Sequence, residues 1–413
     1  MKLIKDISLP LLGIFIYTIA PLVGLILETN FAWEAPVKFL GLVFVFYGLS
    51  QMRNAHHRMY ANSRIMNSLY VFYVLLLIIM VLRGASYWER VPSASVTEAL
   101  TAYLCSPYYF IWIMMPMVVL RMYPNYSLKG LIRLICCICV ICVIFSIFNF
   151  ADLLNYSFLA MNFGTEESLT KFSYFRMGLE FAPLLLLVGY LSRQQRIIIY
   201  VTFGINILAC IILARRGDLA MSLLLVVFTL WLYYRRGSLK HKISVFLLSI
   251  ALLAFFIFAN ESSLFAYLNE RLMEDNRSEV DAALMEQMNV WEKVFGKGLN
   301  GKYFLPFDND THSNGWRYGS ETGFFTIVLK GGYLMVFVYI LLMVIPALKG
   351  IFNARNVFCR GGGLYILWNV IYLYPFGQLT FNINFFFVWM WVILCSMPHI
   401  RNMSDMEIKT IYF

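Results

Sequence analysis

Arg215 and Arg216 stand side by side where one long apolar run (CIILA) ends and another (LAMSLLLVV) begins. Charge at the edge of an apolar segment is costly and tends to mark function. The guanidinium carries a rigid fork of donors that matches phosphate oxygens, so the pair suits a phosphate-bearing ligand. The alternative is structural: the two side chains snorkel to lipid headgroups, or Asp218 neutralises them in part. The match of Arg216-Gly217-Asp218 to an adhesion tripeptide is chance.

His312 is the second residue with chemistry to offer. An imidazole titrates near neutral pH and is the usual general base toward a sugar hydroxyl. The bland alternative is a loop histidine that only hydrogen-bonds. Arg271, Arg277, Glu321, Arg176 and Glu180 are secondary candidates. Glu321 is expected in the first turn of the tenth apolar span, where a carboxylate also complements a helix dipole. Arg176 and Glu180 are one helical turn apart and could simply pair with each other. Lys330, inside an apolar run, is expected to face the protein interior or a wet cavity.

Three patterns carry less than their spelling suggests. Gly296-Lys-Gly298-Leu-Asn-Gly301 spells GxGxxG but lacks the strand–turn–helix setting of a dinucleotide site. Asp308-Asn309-Asp310 spells a DxD metal motif, yet nucleotide sugars are cytoplasmic and this segment is expected to face outward. Cys136, Cys137, Cys139 and Cys142 lie in an apolar helix without His or carboxylate neighbours, where cysteine acts as a small hydrophobe. No metal and no cofactor is expected.

The elements that must hold these residues follow from composition. The chain is 61% hydrophobic and 14% charged, with a mean hydropathy of +0.70. One soluble core of 413 residues could not hide that much apolar surface, whereas a bilayer serves as its solvent. The fold expected is an all-α, polytopic membrane helix bundle forming one domain over 1–413. Runs long enough to cross a hydrocarbon core place about twelve spans at 9–28, 31–50, 66–84, 106–122, 129–150, 177–192, 197–214, 219–234, 243–260, 322–348, 363–378 and 381–398. The first run follows Lys2 and Lys5 like a signal peptide, but no clear cleavage site follows, so it reads as a retained helix.

Threading these spans from the inside puts Arg53, Arg58, Arg64, Lys129, Arg133, Arg193, Arg235, Arg236, Lys349, Arg355 and Arg401 on one side. That asymmetry sets both termini in the cytoplasm. It also explains the net charge of +10 as a topology signal, so no nucleic-acid partner is expected. His56, His57, His241 and His399 fall on the cytoplasmic side, which leaves His312 the one outward imidazole.

One loop is large: 261–321, outward, between spans nine and ten. Within it, Ser278 can cap a helix with Asp281 at its third position. Val280, Leu284, Met288, Trp291 and Phe295 recur at spacings of three and four, and Gly296 is the stop. This predicts an amphipathic helix at the membrane surface, followed by irregular turns suited to covering an active site.

Over roughly 200–345 the chain resembles the O-antigen polymerase and O-antigen ligase superfamily of bacterial membrane glycosyltransferases. The likeness rests on the arginine turn ILARRGDLA, the loop helix and turn VWEKVFGKGLNG, and the segment THSNGWRYGSETGFFTIVLKGGY. It departs in that Ser313 separates His312 from Asn314, and in that only one outer loop is large. The resemblance implies transfer of a glycan from undecaprenyl pyrophosphate at the outer face of the inner membrane, without a metal. Arg215, Arg216, Arg277 and Arg271 would hold the pyrophosphate. His312 would activate or orient the acceptor hydroxyl, helped by Glu321. Arg176, Glu180, Trp316 and Arg317 would line the substrate cavity. The implied partners are the lipid-linked glycan, membrane lipid, and a chain-length regulator and flippase of the same pathway. A polymerase is favoured over a ligase on composition, and a flippase is the rival from another class.

Overall fold

The computed structural model describes residues 7–26, 33–52, 64–84, 95–123, 128–150, 180–212, 215–234, 277–305, 315–375 and 379–413. Among them the chain is an all-α membrane protein with one two-residue ladder of strand. Five helices are long and apolar enough to cross a membrane: Arg64–Arg83, Leu128–Phe148, Arg193–Ile211, Gly217–Tyr234 and Gly323–Phe352. Shorter apolar helices include Leu9–Leu22, Ile111–Met122 and Ile383–Ser396. The expected span 243–260 lies outside the described residues.

In chain order the helices are α1 (Leu9–Ile26), α2 (Glu34–Gln51), α3 (Arg64–Arg83), α4 (Val96–Cys105), α5 (Met115–Met122), α6 (Leu128–Phe148), α7 (Arg193–Ile212) and α8 (Arg216–Tyr234). The loop contributes α9 (Arg277–Glu286), α10 (Val290–Phe295), β1 (Tyr303–Phe304) and β2 (Trp316–Arg317). Then follow α11 (Gly323–Phe352), α12 (Val357–Tyr372), α13 (Ile383–Ser396), α14 (Pro398–Asn402) and α15 (Asp405–Tyr412). Two expected spans are less regular than their hydropathy implied. Within 106–122, a 3-10 turn at Ile111–Met114 precedes α5. Within 177–192, the helix around Pro183 is 3-10, Ala182–Leu187. Hydropathy reports burial in an apolar medium and is silent on which helix forms there.

The bundle is organised around α13, in which every residue is buried. On α3 the side chains of Ile65, Leu75, Ile78 and Leu82 are exposed although apolar, as a lipid-facing stripe requires. Helix pairs approach closely through small residues, since lipid supplies no hydrophobic drive between helices. A Cβ on Gly13 of α1 would collide with Gly41 of α2, and one on Gly350 of α11 would lie 2.6 Å from the Cys359 carbonyl of α12.

At one end of the bundle, α14 and α15 fold back on the start of α12. Asn356, fully buried, caps α12 through the Cys359 N–H and donates to the carbonyls of Ile400 at 2.8 Å and Met403 at 2.9 Å. The Asp405 carboxylate accepts the Val357 N–H at 2.7 Å, placing negative charge at that helix's positive end.

At the other end, α11 is broken at Gly332, with φ 74° and ψ 176°. The break frees the carbonyls of Leu329 and Lys330, which in a bilayer must find donors inside the protein. The glycine turn 296–301 supplies them: Lys297 N–H donates to Leu329 O at 2.7 Å and Gly298 N–H to Lys330 O at 3.0 Å. Leu299 N–H reaches Met80 O of α3 at 3.0 Å, and Arg83 Nη1 donates to Phe295 O at 3.1 Å. The glycine turn after α10 is therefore plugged into the bundle by its backbone. Gly296 and Gly298, with φ of 73° and 94°, press on Lys330 and Arg83, where no side chain fits.

The amphipathic helix expected across 278–295 is two helices. Ser278 lies inside α9 rather than capping it, and Asn289 starts α10 with a capping box to Glu292. Val280, Leu284 and Met288 are buried, but Trp291 is 73% exposed. The break turns the second half of the apolar stripe off the core. Gly296 does end the helix.

Candidate active site

The arginine turn is tight. Arg215, half-buried, sits between α7 and α8, with its N–H on Cys210 O at 2.8 Å and its carbonyl on Leu219 N at 3.0 Å. One turn on, Asp218 is buried and accepts the Tyr372 hydroxyl of α12 at 3.0 Å.

Tyr372 also lines a cleft of about 60 Å³, together with Tyr108, Glu180, Asn369, Asn382 and Asn384. The Glu180 carboxylate accepts Asn382 Nδ2 at 3.1 Å. Asn382 is itself fixed, because its Oδ1 caps α13 by accepting Phe385 N–H at 2.8 Å. Asn384 accepts the Tyr365 hydroxyl, and Asn369 Nδ2 donates to Tyr365 O at 2.9 Å. A carboxylate, three amides and phenol hydroxyls thus meet where the short helix α13 begins below the bundle surface: Ile383 N–H bonds Thr18 Oγ1, midway along α1, at 2.9 Å.

Lys330, expected to face the interior or a wet cavity, is buried. It points at the Tyr108 carbonyl, 3.5 Å away, and lies 6.0 Å from the Tyr109 ring. Tyr109 bonds Asn300 of the plugged turn. The lysine sits behind the cleft wall formed by Tyr108.

The loop covers the neighbouring edge. Tyr303 pairs with Arg317 and Phe304 with Trp316 across the β1–β2 ribbon. Trp316 packs edge-on against Phe304 at 5.6 Å, with Lys302 Nζ 4.7 Å from its ring. Gln287 holds Phe304 at both backbone groups, 2.7 Å each. Ser320 Oγ donates to Asp281 at 2.6 Å, tying the strand exit to α9. Burial pushes the Tyr303 hydroxyl up to about 12, opposed by Arg317 and reinforced by Asp281. It therefore stays a proton donor at neutral pH, directed to Gly319 O at 3.4 Å.

Glu321 is not in the first turn of the tenth span as expected. Thr322 takes the cap position of α11, and Glu321 stands outside it, exposed, with Arg317 at 3.5 Å. A carboxylate there is free of the helix's need for a cap. Phe324 N–H donates to Leu373 O at 3.1 Å, next to Tyr372, and connects this edge to the cleft.

The structure thus gathers Glu180 into the cleft, joins Arg215's turn to it through Asp218 and Tyr372, and places Arg317, Trp316 and Glu321 at the adjoining edge. Arg176, Arg271 and His312, with the Asp308-Asn309-Asp310 segment, lie outside the described residues. Arg216 opens α8 and Arg277 opens α9, but their side chains also lie outside that set. Sequence reasoning missed Asn382, Asn384 and Tyr372. The signal was present: two amides in the run FNINFFF are costly in an apolar span and ask for a reason.

Among the described residues no group of three His, Cys, Asp or Glu side chains could hold a metal ion. The cleft offers a hydrogen-bonded carboxylate, amides and phenol hydroxyls to a hydroxyl-bearing ligand. Against known proteins, the chain matches no family model, no curated protein and no solved structure.

Proposed function

We propose that this protein is a membrane glycosyltransferase that polymerises lipid-linked oligosaccharide repeat units. In this reading the donor is a glycan on undecaprenyl pyrophosphate, at the outer face of a bacterial inner membrane. The chain crosses about twelve times, with both termini in the cytoplasm. One observation carries the reading: Tyr372 joins the buried Asp218 of the arginine turn to the cleft that contains Glu180. Anion-binding and hydroxyl-binding chemistry then adjoin, as transfer from a pyrophosphate to a sugar hydroxyl requires.

Arg215 and Arg216, with Arg277 and Arg271, bind the pyrophosphate and stabilise the charge that develops as it leaves. His312 and Glu321 act on the acceptor side. The leaving group is already good, so holding two bulky substrates in line is much of the catalytic task. A ligase would use the same donor and differ in acceptor, while a flippase would carry the same lipid without bond making.

Deleting the gene separates these readings by the surface polysaccharide that remains. A polymerase leaves single repeat units on the core. A ligase leaves bare core with full chains on the carrier lipid, and a flippase leaves repeat units on the inner leaflet. Normal long chains after deletion would refute the proposal.

A further inference from the structure

The Glu180 cleft differs chemically from the arginine turn beside it. Among the described residues its lining presents one carboxylate, amides and phenol hydroxyls and no cationic side chain. A phosphate there would meet the Glu180 carboxylate, like charge against like. A hydroxyl would find both an acceptor and donors. The cleft's volume of about 60 Å³ has room for roughly four water-sized groups. That is too little for a sugar ring and enough for its hydroxyl-bearing edge.

The groups are held in place. Asn382 orients the Glu180 carboxylate and is locked in turn as the cap of α13. Asn384 is nine-tenths buried, and its Oδ1 takes the Tyr365 hydroxyl, so the amide nitrogen is the atom offered to the cleft. Side chains fixed by a second layer of bonds are what positioning for catalysis requires.

We infer that this cleft takes the hydroxyl-bearing edge of the acceptor sugar and that Glu180 accepts the hydroxyl proton. The inference rests on the glycosyl-transfer reading above and assigns His312 to orientation rather than proton removal. In the step, the acceptor O–H bond breaks and its proton passes to the Glu180 carboxylate. The acceptor oxygen bonds to the donor's anomeric carbon. The bond from that carbon to the pyrophosphate oxygen breaks, and its electron pair leaves on the pyrophosphate.

The test uses membranes from deletion-strain cells, loaded with their own accumulated undecaprenyl-pyrophosphate repeat units. The full-length protein or a variant is supplied in them at matched level. Polymer length is read on a gel and released carrier pyrophosphate is counted. Glu180→Ala should lower turnover by about 10²–10⁴-fold, the usual contribution of a general base. Added formate, small enough for the vacated cleft, should restore at least part of it. Glu180→Gln, which keeps the Asn382 contact and the shape, should lower turnover without rescue. Asn384→Ala should raise the repeat-unit concentration needed for half-maximal rate.

Near-normal turnover in Glu180→Gln while Arg215→Ala is inactive would overturn the inference and leave the polymerase reading standing. Loss in Glu180→Ala that formate does not relieve, with Glu180→Gln active, would also overturn it and make Glu180 a packing residue. Normal polymer from Arg215→Ala and Glu180→Ala alike would remove the glycosyl-transfer reading itself.

Discussion

The Tyr372 hydroxyl donates to the Asp218 carboxylate across 3.0 Å, joining the end of α12 to the first turn of α8. Asp218 is 3% exposed, so each donor it holds matters. Tyr372→Phe removes one donor from a buried carboxylate, at a cost of about 1–3 kcal/mol. The expected result is a lower melting temperature in detergent and a loss of polymer larger than the loss of protein. An unchanged melting curve would show that the bond contributes nothing.

Gly332 makes a sharper structural prediction. Its φ of +74° disfavours any residue with a Cβ, and that Cβ would also collide with the Val294 carbonyl of α10. Gly332→Ala should cost at least about 2 kcal/mol, strain and collision together. Gly204 is the control, because a Cβ there meets nothing within 4 Å. Limited proteolysis of the loop should accelerate in Gly332→Ala and stay at the wild-type rate in Gly204→Ala.

That contrast shows what the sequence could and could not convey. Long apolar runs announce helices because the bilayer demands internal backbone bonding, and α3, α6, α7, α8 and α11 lie close to their expected bounds. A lysine in an apolar run is expected to face the interior or a wet cavity, and Lys330 is buried. By contrast, Lys330-Gly331-Gly332 reads as part of an unbroken span, and its break depends on a turn some thirty residues away. Likewise GKGLNG looked like a nucleotide spelling and serves as a backbone plug. Arg215 and Glu180 stood out individually, but their link runs through Tyr372, Asn382 and Asn384, ordinary residues until the fold brings them together.

The Arg317–Glu321 pair offers a test of chemistry against stability. With side chains 29% and 42% exposed at 3.5 Å, an ion pair contributes about 0–1 kcal/mol. Glu321→Gln should leave melting nearly unchanged, and the proposed acceptor-side role requires polymer yield to fall. Retained yield would confine Glu321 to the surface.

Topology is open to direct labelling. Ser278, exposed on α9, belongs to the outward loop in the proposed arrangement, and Met406, 75% exposed on α15, belongs to the cytoplasmic end. A membrane-impermeant maleimide applied to intact spheroplasts should label Ser278→Cys and should reach Met406→Cys only after permeabilisation. The reverse pattern would invert the protein in the membrane and move the site to the cytoplasm.

The central claim is that an arginine-bound pyrophosphate leaves as sugar is transferred. Its most direct test is single alanine substitution of Arg215, Arg216, Arg277 and His312 in a strain lacking its own gene, with protein level checked in the membrane fraction. The account predicts loss of long chains, single repeat units still capping the core, and normal protein level. Normal polymer from all four variants at normal protein level would contradict it.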